Sequence, residues 1–150
     1  MTIHSFRARP SSQAGFTLVE VLVALIVLSI GMLGIAALYL DTLRASRQAL
    51  VRTQAVTLAS DIADRIRSNR TIVNAYDCAG ACTAGEGNGA MAIGDINAWR
   101  TAVEAQLPGG TASITYTAAL PNAPDIYVVA LSWTEVGYAN PLTYQLRIEI

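Results

Sequence analysis

The chain has 150 residues, of which 53% are apolar, with ten arginines and no lysine set against eleven acidic residues. That length fits one small domain with an appendage, and the lack of a basic patch interleaved with aromatics argues against a nucleic-acid partner. The one histidine is His4, so the rest of the chain has no imidazole for a Ser-His-Asp or Cys-His arrangement or for the commonest zinc ligand. Neither a catalytic residue, a cofactor nor a metal is expected.

Residues 1–15 read as a short leader containing Arg7 and Arg9. Val21 to Leu40 then form twenty consecutive uncharged residues, VLVALIVLSIGMLGIAALYL. At about 1.5 Å per residue this run is roughly 30 Å long, the thickness of a bilayer's hydrocarbon core. The next basic residue is Arg44, so the positive-inside rule places the N-terminus in the cytoplasm and everything after Leu40 outside. A secretory signal has a shorter apolar region, about 7–15 residues ending at small residues. A plain signal anchor fits better but leaves Glu20 unexplained.

Glu20 stands at the edge of this run. A lone carboxylate within a membrane helix costs on the order of 2–3 kcal/mol, less near an end, and needs a partner. No basic residue lies within helical reach on its C-terminal side. A cut after Gly15 creates an amino group on Phe16, one helical turn from Glu20 of its own chain and available to that of a neighbour.

Gly15-Phe16-Thr17-Leu18-Val19-Glu20, followed by the long apolar stretch, resembles the class III signal of type IV pilins and pseudopilins. The resemblance implies that prepilin peptidase cuts between Gly15 and Phe16 and that the Phe16 amine is N-methylated. It also implies that Glu20 pairs with the terminal amine of an adjacent subunit during assembly. Within residues 16–40, the transmembrane and filament-core segment, Gly31 and Gly34 read as points of close helix approach or of local unwinding.

Residues 41–70 carry a helical pattern with one apolar stripe: Leu43, Leu50, Val51, Leu58, Ala59, Ile62 and Ile66. Asp61 and Arg65 form an i,i+4 pair, and the helix is expected to fade near Ser68-Asn69. A continuous helix from Phe16 to Asn69 is roughly 80 Å long. The apolar repeat is too short for a clean coiled-coil seam, so the stripe is expected to pack on the chain's own head.

Residues 71–150 form that head. The segment 71–94 reads as a loop containing Cys78 and Cys82, which oxidise to a small disulfide outside the cytoplasm with Gly80 easing closure. Free thiols and a weak metal pair are the alternatives. Asp95 reads as the N-cap of a helix 96–107, with Trp99, Val103 and Leu107 on its apolar face, ended by Pro108-Gly109-Gly110. Strand patterns follow at 113–118, 126–135 and 142–150, with turns at Pro121-Asn122-Ala123-Pro124 and 137–141. The expected fold class is α+β: a long N-terminal helix packed on a small antiparallel sheet, an order that resembles the pilin fold.

The blocks LASDIADRIRSNR and AWRTAVEAQLPGG resemble PilV-type minor pilins. That likeness implies a structural subunit near a pilus tip rather than an enzyme. Its partners are then prepilin peptidase, other major and minor pilins, the inner-membrane assembly platform and, as a candidate, a tip adhesin. A type II secretion pseudopilin and a membrane-anchored periplasmic binding protein or enzyme are the competing readings; the last predicts a pocket with convergent polar groups.

Overall fold

A computed structural model describes residues 15–72, 74–78, 82–83, 85–119, 121 and 123–150. Residues 1–14, with His4, Arg7 and Arg9, and also Gly80 and Asn122 lie outside the described residues. The chain divides into two units, Met1–Leu43 and Arg44–Ile150.

Helix α1, Leu18–Ser68, contributes to both units. In the first unit every described residue is exposed, as an apolar helix without partners must be. Its polar side chains bond to its own backbone: Ser29 Oγ donates to the Leu25 carbonyl at 2.7 Å and Thr42 Oγ1 to the Leu38 carbonyl at 2.9 Å. Such back-bonding keeps hydroxyls satisfied where no water is available.

In the second unit, α1 buries Ala55, Leu58, Ala59, Ile62, Ala63 and Ile66, with Val51 half-buried. Leu43 and Leu50, expected on this stripe, are instead exposed. At about 100° per residue Leu50 projects half a turn away from Ala59. The alanines take their places, because small side chains let the head approach the helix closely. The helix ends at Ser68, as expected, and its last turn carries Arg65 and Arg67.

Helix α2 spans Ala90–Gln106, six residues longer at its start than the sequence pattern predicts. Its N-cap is Gly89, without a side-chain cap, and Asp95 lies inside it. Asp95 is therefore not a cap; its carboxylate accepts from Arg65 on α1 at 2.7 Å. The apolar face is as expected, with Ile96, Trp99 and Val103 buried, followed by Leu107.

Strands β1 (Thr111–Thr117), β2 (Ile126–Trp133) and β3 (Leu142–Glu149) form an antiparallel sheet in the order β1-β2-β3. The central strand alternates buried and half-buried residues; Tyr127, Val129, Leu131 and Trp133 face the core. Asp125 closes the β1–β2 connection by accepting from the Ala119 amide at 2.7 Å and the Tyr116 hydroxyl at 3.0 Å. α1, α2 and one face of the sheet enclose a single core containing Ile62, Ile66, Trp99, Ile114, Val129 and Leu131. This is the α+β arrangement of the pilin fold.

The two borders of the sheet differ. Beyond β1, the Cys78 amide donates to the Ile114 carbonyl at 2.9 Å and the Cys82 amide to the Ala112 carbonyl at 2.7 Å, while Asp77 accepts from the Tyr116 amide. Beyond β3 there is no partner strand among the described residues.

Candidate functional site

The six residues from Gly15 to Glu20 are described in full. Gly15, Phe16 and Thr17 precede α1, and all three are exposed. Phe16 is 82% exposed, so the Gly15–Phe16 bond lies on open, non-helical chain of the kind a peptidase can enter. Thr17 starts the helix: its Oγ1 accepts from the Glu20 amide at 3.3 Å, and its carbonyl accepts from the amides of Glu20 and Val21. Thr-x-x-Glu is the sequence pattern of a capping box, a local role for Thr17 that spacing arguments about Glu20 alone missed.

Glu20 occupies the first turn of α1, where the positive end of the helix dipole favours a carboxylate. It is followed by the uncharged stretch to Leu40. The helix is long and apolar enough to cross a membrane. A Cβ added at Gly31 or Gly34 meets no atom within 4 Å, so these glycines serve no packing purpose inside the protomer. Gly15 and Phe16 thus lie on the non-helical chain just before α1, and Glu20 lies in its first turn.

Two family models match this architecture. The prokaryotic N-terminal methylation motif covers residues 10–36, and the type IV pilin Tt1218 model covers residues 37–88. The chain is a type IV prepilin. No curated protein and no solved structure matches it. Type IV pilins are structural subunits, and the class III signal of this prepilin implies processing by prepilin peptidase and assembly with other pilins. With the apolar helix it also suggests anchorage in the inner membrane.

The head of the prepilin is fastened to α1 by polar links of long sequence separation. Arg52 donates to both carboxylate oxygens of Glu135, from Nη2 at 2.9 Å and Nε at 3.2 Å. This fork neutralises an acid whose side chain is only 3% exposed, and a bidentate pair fixes orientation as well as charge. Gln48 Nε2 donates to the Val136 carbonyl at 3.0 Å. At the other end Arg65 bridges Asp61, at 3.1 Å, and Asp95. The expected Asp61–Arg65 pair is therefore one arm of a larger network. Tyr76 completes it by donating to Asp95 at 2.7 Å; burial, and then this bond, push its hydroxyl up to about 12.

Cys78 and Cys82 are joined as a disulfide, with their Cα atoms 5.1 Å apart. Their sulfurs and a Glu86 oxygen lie within 4.8 Å of one another. Disulfide sulfurs are not thiolates, however, and only thiolates ligate metal well.

Proposed function

We propose that this prepilin is a minor type IV pilin that primes or joins pilus assembly near the tip. The observation that carries the reading is Glu20, an isolated carboxylate in the first turn of an apolar helix, four residues from an exposed Phe16. Prepilin peptidase removes the leader 1–15 by cutting between Gly15 and Phe16, and the new Phe16 amine is N-methylated. Its positive charge offsets Glu20 of an adjacent subunit, which sets the register between neighbouring helices.

Residues 16–40 span the inner membrane with the N-terminus cytoplasmic. The stalk 41–70 and the head 71–150 stand in the periplasm until the subunit enters the pilus. The likeness of LASDIADRIRSNR and AWRTAVEAQLPGG to PilV-type sequences favours a minor rather than a major subunit. Other major and minor pilins and the inner-membrane assembly platform are the partners, with a tip adhesin as a candidate at the distal end.

Mass spectrometry of the N-terminus of protein extracted from membranes tests this reading. A chain starting at N-methylated Phe16 is expected, and an intact Met1 start overturns it. Low-stoichiometry recovery in sheared pili then separates a minor pilin from a type II secretion pseudopilin, which purifies with the secretion apparatus instead.

A further inference from the structure

We infer that the foot of the head carries a docking site for phospholipid headgroups of the outer leaflet of the membrane, an inference that rests on the membrane-anchored reading above. A recess of about 650 Å³ opens there, lined by Arg44, Arg47 and Val51 of α1 and by Pro108, Glu135 and Val136 of the head. Val136 is 83% exposed and Tyr138 54% exposed. An aliphatic and an amphipathic aromatic side chain two residues apart in the chain suit the boundary between lipid and water.

The charge of the recess selects its occupant. Glu135 is held by the Arg52 fork, and the lining also carries Arg44 and Arg47. Counting Asp41, one turn earlier on α1, the arginines 44, 47 and 52 stand against two acids, a net of one positive charge. Guanidinium groups match the oxygens of a phosphate in geometry and charge.

Position points the same way. Arg44 is four residues beyond Leu40, about 6 Å of helical rise, and at most about 14 Å however the chain runs. The headgroup layer extends roughly 5–8 Å beyond the hydrocarbon on each side, within reach of an arginine so placed. Bound there, headgroup phosphates seat the head on the bilayer before assembly, with Val136 and Tyr138 against the lipid surface.

The test compares the full chain in nanodiscs of phosphatidylethanolamine and phosphatidylglycerol with the same chain in maltoside micelles, reading amide exchange by mass spectrometry. Among the described residues the Val136 and Gly137 amides donate to no backbone acceptor, so they report burial against lipid directly. Exchange across 134–138 is expected to slow in nanodiscs by about fivefold for each arginine engaged, the effect of one basic residue at an anionic surface. Arg44→Gln with Arg47→Gln is expected to restore the micelle rate, Val136→Ser to restore part of it, and Arg147→Gln to change nothing. Equal rates in the two media, or slowing indifferent to the arginine substitutions, overturns the proposal. Slowing that requires two copies per disc also overturns it, by assigning the recess to a second protomer. Protection of Val21–Leu40 in the same data reports anchoring independently, and its loss sinks the anchored reading itself.

Discussion

Trp99 and Leu58 lie 41 residues apart in the chain, yet the Trp99 indole nitrogen donates to the Leu58 carbonyl at 2.8 Å. The bond is buried and ties α2 to α1 at the centre of the core. Trp99→Phe removes the donor but keeps most of the volume, and is expected to cost about 1 kcal/mol. Trp99→Ala also opens a cavity and is expected to cost about 3–5 kcal/mol. Chemical denaturation of the two variants in detergent, followed by tyrosine fluorescence, measures the difference.

The Tyr76–Asp95–Arg65 network makes the head sensitive to alkali. The folded pKa of Tyr76 is about 12, above the ordinary value of 10.0, so the folded state holds this proton more tightly than the unfolded chain. Its contribution is full below pH 10 and is lost as pH rises from about 10 through 12. The denaturation midpoint is expected to fall over that window in the parent and to fall less steeply in Tyr76→Phe. Asp95→Ala leaves Tyr76 and one arm of Arg65 without their acceptor, and is expected to cost about 2–3 kcal/mol at neutral pH.

The Cys78–Cys82 bridge closes a loop of sequence separation 4. A ring this short restricts the unfolded chain only modestly, so replacing both cysteines by serine is expected to cost about 2 kcal/mol. Before reduction, alkylation should find no reactive thiol. Amide exchange at residues 78 and 82, which bond to β1, should accelerate in the serine variant.

Two glycines predict opposite signs. Gly94 lies within α2, and a Cβ added there meets nothing within 4 Å, so Gly94→Ala is expected to stabilise by about 1 kcal/mol through helix propensity. Gly87 has φ +110°, and an added Cβ lies 2.8 Å from Ile96 Cδ1 and 3.0 Å from the Ala75 carbonyl. Gly87→Ala is expected to cost about 2 kcal/mol from strain and overpacking. Thermal melts of the pair are enough to decide.

Glu20→Ala is expected to leave cleavage after Gly15 intact while strongly reducing recovery in sheared filaments. Glu20→Gln should behave the same way, because the missing property is charge rather than size. Normal incorporation of either variant removes charge pairing from the proposed mechanism.

The three strands were legible in the sequence because each has one face on the core and one in solvent, and alternation records that directly. Leu142, Tyr144, Leu146 and Ile148 show it most cleanly. The stalk was legible in kind but not in detail. Leucines dominate any hydropathy count, while the face of α1 that packs closest uses Ala55, Ala59 and Ala63, whose small size is the signal. The start of α2 was missed for a related reason. Ala90 to Gly94 resembles loop composition, and Asp95 resembles a cap; only its partners on other elements, Arg65 and Tyr76, reveal that it faces them from within a helix. The Arg52–Glu135 fork left no local mark at all, since nothing in either segment specifies the other. The methylation motif around Gly15, Phe16 and Glu20 was readable because its spacing is short and its chemistry local.

The unequal borders of the sheet bear on what happens when many heads are crowded together. If two of them meet strand to strand, β3 zips against β3 and each sheet gains a neighbour on that side. The opposite side of each is already stitched to Asp77, Cys78 and Cys82, so the zipper has nowhere to continue. An accidental encounter then stops at a pair, and the helix-borne assembly proposed above is spared a second, unwanted polymer growing through the heads.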